Sequence, residues 1–137
     1  MRITRLTISA IVLAMAIAAS GAAPVIENAT PVVSPDGSRI AFHSNRDGQP
    51  DVYVMSADGT KVTRVTRTPE FEGTLSWSAD GKQIRFGVVG KESSRIDAIN
   101  IDGSNQSTIG SVPGRFVGIS DDGKRVLNAV GGWTNVK

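Results

Sequence analysis

Val32-Val-Ser-Pro-Asp-Gly-Ser-Arg-Ile-Ala-Phe42 is the stretch whose reading decides the fold, because it recurs twice in altered form. Leu75–Phe86 reads Leu-Ser-Trp-Ser-Ala-Asp-Gly-Lys-Gln-Ile-Arg-Phe, and Gly118–Leu127 reads Gly-Ile-Ser-Asp-Asp-Gly-Lys-Arg-Val-Leu. The Asp-Gly pairs stand at 36/37, 80/81 and 122/123, spaced by 44 and then 42 residues. A second series at 58/59 and 102/103 keeps the spacing of 44. Each pair is a turn signal, with Gly free to adopt a positive φ and Asp able to hydrogen-bond the turn backbone. The regular oxygen spacing of a calcium loop is missing, so these five aspartates read as turn formers rather than metal ligands.

Between the turns lie short β-rich runs. The first unit predicts strands at Pro31–Ser34, Arg39–Ser44, Asp51–Ser56 and Lys61–Thr66, the last polar enough for an outer edge. The second predicts Thr74–Ser78, Gln83–Val88, Arg95–Asn100 and Gln106–Ile109. The third predicts Phe116–Ile119 and Arg125–Val130, with a further strand due near Lys137. No helical period follows the N-terminal segment. A 40–50-residue period of short strands indicates propeller blades. The fold class is therefore all-β, about two and a half four-stranded antiparallel units of an incomplete ring. The units divide as 32–73 (blade 1), 74–115 (blade 2) and 116–137 (partial blade 3), after a lead-in at 23–31.

The N-terminal segment is of another kind. Arg2 and Arg5 precede an apolar run at Ile8–Ala19, followed by the small residues Ser20-Gly21-Ala22-Ala23. That is the pattern of a secretory signal peptide at 1–22, with cleavage after Ala22 favoured over Gly21 or Ala23, and a retained membrane anchor as the alternative. The run is shorter than the ~20 residues that span a bilayer. The sequence thus predicts an exported protein, periplasmic in a Gram-negative cell, with no membrane span after signal removal.

Charge and composition exclude several functions. The 137-residue chain has 15 Lys and Arg against 13 Asp and Glu; without the two leader arginines the balance is even. No basic stripe remains for nucleic acid. The absence of cysteine removes thiolate catalysis and cysteine metal sites. His43 is the only histidine and no Gly-x-Ser-x-Gly elbow accompanies it, so it reads as a strand-end residue packed between blades. Trp77 matches Val33 and Ile119 in the other units and reads as core; Trp133 reads as exposed. Asp97 stands where Tyr53 stands and should weaken that packing position.

In Ser34-Pro-Asp-Gly-Ser-Arg-Ile-Ala-Phe42 the chain resembles the TolB-type, WD40-like (PD40) β-propeller repeat. The resemblance continues through Ser44-Asn-Arg-Asp-Gly48, Asp51-Val-Tyr-Val-Met55, Asp58-Gly-Thr60 and Val65-Thr66. It weakens in the second unit, where Ala79 replaces Pro, and further in the third, where Asp121 does. The resemblance implies an exported, non-catalytic protein-interaction scaffold of the cell envelope, with protein partners and no cofactor. Two alternatives come with it: a propeller attached to a prolyl-oligopeptidase-like serine hydrolase, or a carbohydrate- or ligand-binding propeller.

No residue reads as catalytic, cofactor-binding or metal-binding. Propeller function lies in loops, so the predicted partner-binding residues are Arg46, Asp47 and Gln49 of the first long loop, then Glu70 and Glu72, read as solvated acids between the blades. Closed propellers have about four to eight blades. The short chain is therefore expected to be a piece of a larger propeller; association with copies of itself through open blade faces, or a short open β-sheet protein, are the alternatives.

Overall fold

The structure, a computed structural model, describes residues 25–70, 72–120, 124–128 and 132–135. The predicted signal peptide lies outside these residues. The described residues form eleven strands: β1 (Asn28–Val33), β2 (Arg39–Ser44), β3 (Asp51–Ser56), β4 (Thr63–Arg64), β5 (Glu72–Trp77), β6 (Gln83–Val88), β7 (Ser93–Asn100), β8 (Ser107–Pro113), β9 (Phe116–Ile119), β10 (Arg125–Asn128) and β11 (Gly132–Asn135). They make three antiparallel meanders, ordered β1-β2-β3-β4, β5-β6-β7-β8 and β9-β10-β11. This is the blade architecture that the period predicts, and no helix occurs among the described residues.

The Ser-x-Asp-Gly turns are built alike. Asp36 Oδ1 accepts from the Ser38 amide at 3.0 Å and Asp80 Oδ1 from the Lys82 amide at 3.1 Å. Ser34 Oγ donates to Asp36 at 2.7 Å and accepts the Arg39 amide at 2.9 Å, which starts the second strand; Ser78 does the same for Asp80 and Gln83. These donors hold the Asp36 carboxyl down at about 2, the Ser34 hydroxyl first among them. Gly37 and Gly81 have φ of 72° and 67°, which a side chain would oppose. Asp58 and Asp102 close the outer hairpins with the same amide contact. Asp122 lies outside the described residues.

Each inner strand carries a bulge at the same place, between Ala29 and Val32 in β1 and between Glu72 and Leu75 in β5. The bulge lets β1 begin at Asn28, within the predicted lead-in, because Asn28 and Ala29 pair with Ser44 and His43. The outer strand shrinks from the expected Lys61–Thr66 to Thr63–Arg64: Lys61 takes a φ of 54°, and Val65 and Thr66 both turn their amides to the Val52 carbonyl. β11 begins at Gly132 rather than near Lys137. Leu127 pairs with Trp133 and Asn128 with Gly132, so this connection is shorter than the Asn45–Pro50 loop between Ser44 and Asp51.

The core lies between blades. Ala41, Val52, Val54 and Val65 of the first sheet pack with Leu75, Trp77, Ile84, Phe86, Val88 and Ile99 of the second. Trp77 is 4 % exposed and its indole N–H donates to the Val32 carbonyl at 2.9 Å, a polar tie inside an apolar junction. A smaller cluster of Ile96, Val112 and Val126, with Ile119 against it, joins the second sheet to the third.

A candidate interaction rim on the first blade

The loop between β2 and β3 is held from its own strands. Gly48 turns it, with φ of 111° and its amide donating to the Asn45 carbonyl at 2.9 Å. Arg46 lies back over the sheet. Its guanidinium carbon is 5.3 Å from the Phe42 ring centre and 4.8 Å from that of Tyr53. Its Nε donates to Ser44 Oγ at 3.0 Å and Nη2 to Asn28 Oδ1 at 3.1 Å. Asp47 accepts the Tyr53 hydroxyl at 2.6 Å. Burial, and then this bond, push the Tyr53 phenol up to about 12.

Arg64 of β4 faces both acids of this corner. Its Nη2 donates to the fully buried Asp51 at 2.5 Å, and Nη1 lies 3.8 Å from Asp47. Gln49 reaches the other way and donates from Nε2 to the Thr68 carbonyl at 2.5 Å, which ties the loop to the linker between blades. Gln49, Pro50, Pro69 and Glu70 thereby line one shallow pocket of about 180 Å³. Glu70 is exposed and accepts from both terminal guanidinium nitrogens of Arg95 of β7. That cation holds the Glu70 carboxyl below its ordinary value. The structure thus brings Gln49 and Glu70 to one exposed rim, while Asp47, also exposed, turns to Tyr53 and Arg64, and Arg46 is half-buried over the sheet.

Glu72 departs from the solvated loop acid that its sequence position suggests. It is the first residue of β5 and only 4 % exposed. Thr66 Oγ1 donates to Oε2 at 2.6 Å and Thr68 Oγ1 to Oε1 at 2.7 Å. Burial raises its carboxyl above the usual range, against the pull of the two hydroxyls. Residue pattern does not foretell this burial, because the two threonines lie in a linker whose path propensity does not fix. Asp97 is another surprise. It pairs with Phe86 as Tyr53 pairs with Phe42, and it is 2 % exposed. It does not leave a weak spot, because Arg95 Nε (3.2 Å), Gln106 Nε2 (3.0 Å) and Thr108 Oγ1 (2.8 Å) all donate to it.

A larger cleft of about 440 Å³ lies between the bulges of β1 and β5, lined by Pro31, Val32, His43, Glu72, Thr74 and Leu75, among others. His43 is 8 % exposed and its Nδ1 is 2.5 Å from Thr30 Oγ1, with burial lowering its affinity for a proton. It sits at the blade junction, as its place at a strand end suggests. Among the described residues no group of three or more His, Asp or Glu is placed to hold a metal ion.

A fold of repeated four-stranded meanders with Ser-x-Asp-Gly turns can be compared with known proteins. The profile of the TolB beta propeller domain matches residues 16–128. The chain belongs to the TolB beta propeller family. It is similar to the Tol-Pal system protein TolB of Anaeromyxobacter dehalogenans, 44 % identical over 46 residues, which is 34 % of this chain and 11 % of that protein. It is also similar to tricorn protease homolog 1 of Streptomyces coelicolor, 32 % identical over 83 residues, which is 58 % of this chain and 8 % of that one. Among solved structures, putative TolB from Agrobacterium tumefaciens superposes with a TM-score of 0.57 at 26 % identity, covering 65 % of this chain and 35 % of the other. The matched segments are thus a small part of each relative.

Proposed function

We propose that this chain is an exported TolB-like propeller that acts, without catalysis of its own, as a protein-interaction scaffold in the cell envelope. The rim where Gln49 meets Pro69 and Glu70 is its contact surface, with the exposed Asp47 on the same loop and Arg46 bracing that loop. The observation that carries this reading is the tie from Gln49 to Thr68. It turns two separate exposed loops into one fixed surface of mixed charge with two prolines, the composition of a polar interface rim. Similarity to a Tol-Pal system protein and the secretory pattern of residues 1–22 support an envelope location and protein partners of that kind. The test is site-specific photocrosslinking from position 49 in living cells, followed by fractionation. A covalent adduct with an envelope protein, lost in E70R, is expected. An unmodified chain, or one confined to the cytoplasm, overturns the proposal.

Similarity to a protease homolog favours a second reading, a propeller that accompanies a hydrolase. Labelling of the native envelope product by a fluorophosphonate serine probe would support it, and an unlabelled product would remove it.

A further inference from the structure

The bulges of β1 and β5 border one cleft of about 440 Å³ between the first two sheets. That is within the ~300–1,000 Å³ of small-molecule sites, and bulged strands recur beside such sites. Pro31, Val32, Pro50 and Leu75 give the cleft apolar walls, and the ionisable residues that line it are His43 and Glu72. Both are more than nine-tenths buried. Thr30, beside them, holds a φ of 50°, a strained setting for a β-branched residue and of the kind that collects at ligand sites.

The two ionisable groups are incompletely matched. His43 Nδ1 is 2.5 Å from Thr30 Oγ1, but Nε2 has no hydrogen-bond partner and is closed to solvent. Buried nitrogens are seldom left so, and this one loses no bond at Nε2 when the ring turns toward a guest. Burial lowers the affinity of the ring for a proton. The neutral imidazole with its proton on Nδ1 donates to Thr30 and offers Nε2 as an acceptor. Glu72 is met by the neutral hydroxyls of Thr66 and Thr68, at 2.6 and 2.7 Å. A second buried acid, Asp51, stands 3.5 Å from the same Thr66 hydroxyl, and its cation, Arg64, is bonded to it. Glu72 is thus a carboxyl buried on neutral donors beside a like charge, which opposes its ionisation. A cationic guest mends both faults, because an ammonium carries a positive charge and three donors. A neutral guest would leave the acid uncompensated, and an anion would meet its charge.

We propose that this cleft binds a small organic cation, a primary amine on an apolar body, with the ammonium taken by Glu72 and His43 Nε2 and the body on Pro31, Val32 and Leu75. Nothing in this inference rests on the interaction rim or its partner.

The test is a proton NMR titration of the purified chain at neutral pH with phenethylamine, and beside it phenethyl alcohol and phenylpropanoate. His43 is the only histidine, so its ring resonances report the cleft directly. The amine is expected to shift them saturably and to bind at least about 10-fold more tightly than the alcohol, as a hydrogen bond to a charged group does, with the carboxylate weakest. E72Q keeps the shape and removes the charge, and should abolish the preference for the amine. A29W, at an exposed residue bordering the cleft, should block amine and alcohol alike while the circular dichroism spectrum is kept. If E72Q disturbs the fold, the amine-to-alcohol ratio of the wild type and the A29W block still decide. No saturable shift at millimolar amine, an alcohol that binds as tightly, or amine binding undiminished in A29W or in folded E72Q would each overturn the proposal.

Discussion

Trp77→Ala should remove most of the stability of the first blade junction. The indole is 4 % exposed, shares its core with Ala41, Val52, Val54 and Val65, and donates to the Val32 carbonyl at 2.9 Å. Truncating a buried Trp costs about 3–5 kcal/mol through lost transfer energy and the cavity left behind. Leaving the Val32 carbonyl without its donor adds about 1 kcal/mol. The sum, about 4–6 kcal/mol, is comparable with the whole stability of a small domain. W77A should therefore be largely unfolded. W77F separates the two effects: it keeps most of the ring volume and loses the bond, for roughly 1–2 kcal/mol. Urea unfolding followed by far-ultraviolet circular dichroism, at one fixed protein concentration, measures both. V62A, at a residue 42 % exposed, is the control and should stay within about 0.5 kcal/mol. A loss under about 1 kcal/mol for W77A would refute the reasoning, since the two sheets would then not share a core. Equal losses for W77A and W77F would place the whole effect in the hydrogen bond and refute the packing part.

Arg64→Met leaves the fully buried Asp51 without its cation and should cost about 3 kcal/mol in the same assay. Glu72 titrates above its ordinary value in the folded chain, so its contribution is fully present below the unfolded value, near 4.5, and is lost as pH rises through the raised one. E72Q should flatten the stability–pH curve across that window, and an unchanged slope would show that the carboxyl is not buried. The single tyrosine should ionise at about 12 in a 295 nm titration. D47N should bring it part of the way back toward 10, since burial, the larger cause, remains.

Most of the blade plan is legible in the sequence because turn chemistry is local. Ser34-Pro-Asp-Gly and Ser78-Ala-Asp-Gly fix their hairpins with bonds that span two to five residues. The strands Arg39–Ser44, Asp51–Ser56 and Gln83–Val88 follow with the expected bounds. What sequence pattern does not carry is the path of the irregular stretches. The bulges in β1 and β5 shift the register without a Gly or Pro rule that places them in both. The burial of Glu72 depends on Thr66 and Thr68, whose side chains reach it only after the linker has folded back. The rim is half legible: the exposure of Asp47 and Gln49 follows from a polar loop, but the nearness of Gln49 to Glu70 comes with one bond between loops.

The meander order of the sheets has a mechanical consequence. Every described strand pairs with a sequence neighbour, and among the described residues no strand is exchanged between sheets. Among the described residues nothing therefore threads one blade through another; the blades are joined by packed side chains and isolated hydrogen bonds such as that from Trp77 to Val32. A chain pulled from its two ends should give way blade by blade rather than all at once. Each 44-residue period would release about 150 Å of contour at the length of an extended residue. A force–extension trace should show a staircase with that tread, its tallest riser at the junction that Trp77 holds.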